Sequence, residues 1–98
     1  MDLSEPQKRH LRRLGHNLKP VALTGAAGLK PSLLEEIDRA LAHHELIKVR
    51  FRAPDRLTRD EMVQQVCAEL GAALVQRVGH VALLFRRNPE EPRITLPR

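Results

Sequence analysis

Gly25-Ala26-Ala27-Gly28 stands between a β-favouring run and a helix-favouring one, with Lys19 before it and Lys30 just after. Glycine permits positive φ, and bare backbone amides at a helix N-terminus attract anions, so phosphate is the ligand this segment is suited to take. It is not a dinucleotide fingerprint, which needs a third glycine and a later acidic residue. Nor is it a Walker loop, because no Gly-Lys-Ser/Thr follows. In a KH clamp the Gly-X-X-Gly loop joins two helices, whereas here a strand precedes it. A plain tight β–α connection is the alternative reading of the same four residues.

Two further groups carry charge at regular spacing. Lys8, Arg9, Arg12, Arg13 and His16 share one face of a helix, opposite Leu11 and Leu14. Like charges at i,i+4 cost roughly 0.2–0.5 kcal/mol per pair, a cost that a phosphate-tracking stripe recovers through counterion release. An ordinary solvated face is the plainer alternative. Lys48, Arg50 and Arg52 alternate with Ile47, Val49 and Phe51, which makes a strand with one charged face, suited either to RNA or to protection of the sheet.

Other reactive residues point to packing. Adjacent residues in His43-His44-Glu45 diverge at a helix end and lack metal-ligand spacing. His44 continues an apolar stripe, so a half-buried position is expected. Cys67 falls on the apolar side of its helix, where a free thiol packs as a small hydrophobe. No serine has an identifiable His and acid arrangement. We therefore expect no catalytic residue, cofactor, metal or small-molecule substrate.

The whole chain is 98 residues, room for one domain. Its 42% hydrophobic and 30% charged residues fit an ordered fold. Seventeen Lys and Arg against 12 Asp and Glu give +5, with thirteen of the cations Arg, the side chain that grips phosphate in a bidentate fork. Polyanions are the expected partners, nucleic acid first. With two Phe and no Trp or Tyr there is no aromatic platform for splayed bases, so contact through backbone and shape is expected. One cysteine, no signal-peptide core and no long apolar run imply a soluble cytoplasmic protein away from membranes, and a monomer is expected.

The elements follow from periodicity. Ser4 and Gln7 form a capping box for a helix over about 5–14, with Gly15 as its stop. A short strand is expected over 20–24, a helix over 30–43 on Leu33, Ile37 and Leu41, and a strand from Leu46 to Arg52. A second capping box, Thr58 to Glu61, opens a helix over 58–70 that Gly71 closes. Strands at 72–78 and 81–86 form a hairpin about Gly79-His80. Val81 to Phe85 alternates least and should be central. The expectation is an α/β two-layer sandwich, α-β-α-β-α-β-β, with a four-stranded mixed sheet in order 1-2-4-3 and the second and third helices on one face. The face taken by the first helix is left open. From Asn88 the chain is polar and Pro-rich, with Ile94 and Leu96 able to dock.

Leu18-Lys19-Pro20-Val21 leading to Gly25–Leu29, then His43-His44-Glu45-Leu46-Ile47-Lys48-Val49, and finally Ile94 to Arg98, resemble the small bacterial YhbY-type proteins built from a single CRM domain. The resemblance spans nearly the whole chain. It implies a fold like the C-terminal domain of translation initiation factor three, and an RNA-binding protein associated with ribosomal RNA in precursors of the large subunit. Carried over by position, Gly25, Ala26, Ala27 and Gly28 form the RNA-facing loop, helped by Lys19 and Lys30. Many members have Lys or a polar residue where this chain has Ala-Ala. The expected RNA-binding surface comprises that loop, Lys8, Arg9, Arg12 and Arg13, together with Lys48 and Arg50. The rival reading is a protein–protein adaptor on ribosomal or assembly factors.

Overall fold

A computed structural model of the chain describes residues 2–24 and 28–98. The elements are α1 (Glu5–Gly15), β1 (Pro20–Thr24), α2 (Pro31–His44), β2 (Leu46–Phe51), α3 (Arg56–Leu70), β3 (Ala73–Val78) and β4 (Val81–Phe85), in the expected order. The sheet runs β1-β2-β4-β3, with β1 parallel to β2 and β4 antiparallel to both its neighbours. Between Leu74 and Gln76 the register of β3 slips, and Val75 turns into the core beside the slip.

Two cores form, one on each face of the sheet, so α1 and the tail add a layer opposite α2 and α3 to the two that were expected. Ile37 and Leu41 of α2 and Val63 and Val66 of α3 cover Ala22, Ile47, Val49, Phe51, Ala82 and Leu84. On the opposite face Leu11 of α1 packs with Leu46, Val75, Leu83 and Phe85, joined by Leu3, Ile94 and Leu96. The alternation of β2 therefore holds from Ile47 onward, while β4, interior to the sheet, has Ala82 to Phe85 buried towards both layers. Cys67 packs half-buried against the first core, and desolvation raises its thiol pKa.

Several local expectations shift. Gly15 does not stop α1: it remains helical and buried, and the cap falls on His16 in right-handed conformation. A Cβ on Gly15 would stand 2.7 Å from Leu83 Cδ1, so glycine is there to let the helix sit down on β4. The start of α3 moves one turn earlier, because Asp55 accepts from the Thr58 amide at 2.7 Å and so takes the cap position expected of Thr58. The Ser4–Gln7 box at α1 forms as read. His44 is exposed, since Leu41 is the last buried residue of α2.

Glu45 plays a part the spacing did not reveal. One residue joins α2 to β2, and it must take a positive φ of 65°, a position usually given to Gly or Asn. The side chain is fully buried, and its carboxylate accepts from the amides of Asn88, Arg93 and Ile94 at 2.6, 2.7 and 2.8 Å. This clasp lays the C-terminal tail against the α1 face, where Gln7 Nε2 also donates to Pro97 O at 3.0 Å. Desolvation opposes ionisation of Glu45, but the three amide donors and Arg87 outweigh it and hold the carboxyl below the ordinary glutamate value.

Replacing Gly15 by Val should lift α1 from Leu83 and cost about 1–3 kcal/mol in urea unfolding. Glu45→Gln, which leaves amides without their charged acceptor, should cost on the order of 2 kcal/mol near pH 7. Because the folded-state pKa is depressed, the Glu45 contribution is complete above the unfolded value near 4.3 and disappears as pH falls through the folded one. The gap in melting temperature between wild type and Glu45→Gln should therefore narrow below about pH 4.

Candidate nucleic-acid interface

On the α1 face the helix covers only part of the sheet. Beyond its C-terminal end lies a groove of about 480 Å³, bordered by Arg12, His16, Lys48 and Arg50, with Leu18, Val78, Val81 and Leu83 among its apolar lining. The two elements reach this groove for different reasons. Burial of Leu11 and Gly15 turns Arg12 and His16 to the flank of α1, while strand alternation puts Lys48 and Arg50 on the face opposite Ile47 and Val49. Lys48 Nζ donates to His16 O at 3.3 Å, which fixes the ammonium beside the negative end of α1 and leaves it further donors.

The expected surface thus divides. Arg12, Lys48 and Arg50 converge on the groove. Arg9 and Arg13 are exposed on the outer side of α1, about 200° around the helix from Leu11. Lys8 lines a separate depression with Asp2, Leu3 and the start of β3, and stands 3.9 Å from Glu5. Gly28 has φ 81° with nothing near the position of a Cβ, so the turn demands glycine for its backbone alone. Lys30 is exposed at the cap position of α2, whose first turn has neither a side-chain cap nor an acidic residue. Gly25, Ala26 and Ala27 lie outside the described residues. Lys19 does not join Lys30 at the glycine turn: it precedes β1 at the end away from that turn, across a five-residue strand. It lines a second, largely apolar groove with Leu14, Leu18, Val21, His44 and Ile94.

Other arginines hold the fold together. Arg86 Nη1 meets Asp38 Oδ1 at 2.6 Å and Leu70 O at 2.9 Å, tying the ends of β4 and α3 to α2. Arg77 pairs with Asp60 at 2.8 Å and donates to Gly79 O, joining the hairpin to α3. Among the described residues, by contrast, Arg9, Arg12, Arg13, Lys30, Lys48 and Arg50 form no ion pair. Also among the described residues, no group of three or more His, Cys, Asp or Glu could hold a metal. No helix there is long and apolar enough to cross a membrane.

Three helices on a four-stranded mixed sheet, with unpaired cations gathered over the uncovered part of one face, define a small α/β domain shaped for an anionic partner. The chain belongs to the CRS1/YhbY (CRM) domain family, whose model matches residues 3–86. It is 45% identical over 96 residues to a Haemophilus influenzae protein named as RNA-binding, covering 98% of this chain and 96% of the relative. It is 40% identical over 90 residues to a Pseudomonas aeruginosa protein named as a probable RNA-binding protein, covering 92% and 86%. The solution structure of the hypothetical protein SAV1595 from Staphylococcus aureus superposes with TM-score 0.84 at 31% identity, covering 98% of this chain and all of that one.

Arg86→Ala, which leaves the Leu70 carbonyl unpaired, should cost about 1–2 kcal/mol of stability. Arg9→Ala and Arg13→Ala, made where the side chains meet only solvent, should stay within about 0.5 kcal/mol of wild type. Chemical denaturation of the three variants checks the division into structural and available cations.

Proposed function

We propose that the protein binds structured ribosomal RNA in precursors of the large subunit and acts in ribosome assembly, without catalysis. The carrying observation is the meeting of Arg12 with Lys48 and Arg50 over one uncovered region of the sheet, with Arg9 and Arg13 facing outward on the adjoining helix. Names of the close relatives support RNA as the polyanion. Phosphates neutralised by these side chains release counterions, so affinity is set largely by charge and shape. In this reading Gly28, Lys30 and the uncapped start of α2 form a second phosphate contact, continuous with Gly25, Ala26 and Ala27.

The adaptor reading draws on a different observation, the exposed apolar side chains of Leu14, Leu18 and Val21 beside the edge strand β1. Co-sedimentation with large-subunit precursors before and after RNase treatment separates the two. An RNA binder leaves the particle on digestion; an adaptor stays with its protein partner.

Arg12→Glu combined with Arg13→Glu should weaken RNA retention in filter binding and lower the log–log salt slope by about 1–2, with the circular dichroism spectrum unchanged. Unaltered binding across salt would reject this surface. Gly28→Val should reduce RNA affinity by more than its effect on unfolding free energy; parallel losses would favour the plain-turn reading.

A further inference from the structure

The groove beside α1 differs from a simple phosphate track in the nature of its floor. Cations stand at its border, Arg12 on α1 and Lys48 and Arg50 on β2, while the far side is formed by Val78, Val81 and Leu83 of the hairpin. Val78 is 65% exposed, an unusual position for a large apolar side chain on a face where solvent contact would favour polar residues. A phosphate gains nothing from valine and leucine side chains. An occupant that matches both halves has an anionic group at one end and a flat, weakly hydrated body at the other. A volume of about 480 Å³ lies within the roughly 300–1,000 Å³ usual for small-ligand sites, so it is large enough for one such body.

We propose that this groove receives a single unpaired nucleotide extruded from the structured RNA, its phosphate held by Lys48 and Arg50 and its base lying on Val78 and Val81. The inference rests on the RNA-binding reading and specifies one contact within it. Two geometric features favour it over general backbone contact. Lys48 is already oriented by its bond to His16 O, so its charge is in place before the ligand arrives. Gln76, on the β3 side of the groove, offers an amide that can both donate to and accept from a base edge. Stacking requires a planar partner, and with no Phe, Tyr or Trp lining the groove the Arg12 guanidinium and the His16 ring are the groups placed to cover a base.

The test uses the full chain and two RNA hairpins identical except that one carries a single unpaired 2-aminopurine in its stem. Filter binding at fixed salt should show the bulged hairpin held about ten-fold more tightly than the paired one, in keeping with the worth of one buried base. The emission of 2-aminopurine should rise as the base leaves its stacked neighbours for a groove lined by no Phe, Tyr or Trp. Val81→Gln, which keeps charge and adds a polar chain to the floor, should bring the two affinities within two-fold. Equal binding of both hairpins by the wild type overturns this inference and leaves the RNA-binding reading standing. A preference for the bulge that survives Val81→Gln overturns the placement in this groove. Binding of neither hairpin, at any salt, overturns both readings.

Discussion

The Glu45 carboxylate, buried with no ion pair among the described residues and satisfied by the amides of Asn88, Arg93 and Ile94, organises the second face of the sheet. A carboxylate in such a place is tolerated only because charge-assisted bonds replace its lost water. Through them the tail becomes part of the fold, and Ile94 and Leu96 complete a core that α1 alone would leave thin. The same residue accepts a positive φ so that α2 can pass into β2 with a single connecting residue. Backbone strain at one position is thus offset by three bonds made from its side chain.

What that face leaves open matters as much as what it covers. Leu11 and the tail occupy one part of the sheet, Gly15 lets α1 approach Leu83, and the helix ends at His16 before reaching the hairpin end. Lys48 bridges the boundary, with its stem on the sheet and its ammonium on the His16 carbonyl at the C-cap of the helix. A longer α1 would bury the groove. A bulkier residue at position 15 would tilt the helix away and loosen the core beneath it.

Thirteen arginines make the chain basic, yet they do not act alike. Arg77 and Arg86 have their guanidinium groups committed to Asp60, Asp38 and backbone carbonyls, contacts that join elements distant in sequence. Arg12 and Arg50 project from different elements towards a shared volume. Net charge establishes an affinity for polyanions in general, and the distribution of these pairings decides where that affinity is expressed.

Periodicity and local chemistry were enough for the order of elements, the sheet order 1-2-4-3, the central position of β4, the placement of α2 and α3 on one face and the opposed faces of β2, because hydrophobic spacing and crossover handedness are local rules. They were enough, too, to put Arg12, Lys48 and Arg50 on the polar sides of their elements, where Arg50 is exposed and Arg12 and Lys48 are half-buried. The division between pairing and availability was not legible, since Asp38 and Arg86 are 48 residues apart and nothing near either announces the other. Glu45 carried no local signal beyond two neighbouring histidines without metal-ligand spacing, and its role came from the tail, more than 40 residues later, which supplied its donors. Gly15 carried the signal of a helix stop, and only the approach of Leu83 from the far side of the chain turned it into a contact point. Which face α1 covers, and therefore that a basic groove exists, is a property of long-range packing: either face would satisfy the helix's own amphipathic pattern, and the tail and β4 decide between them.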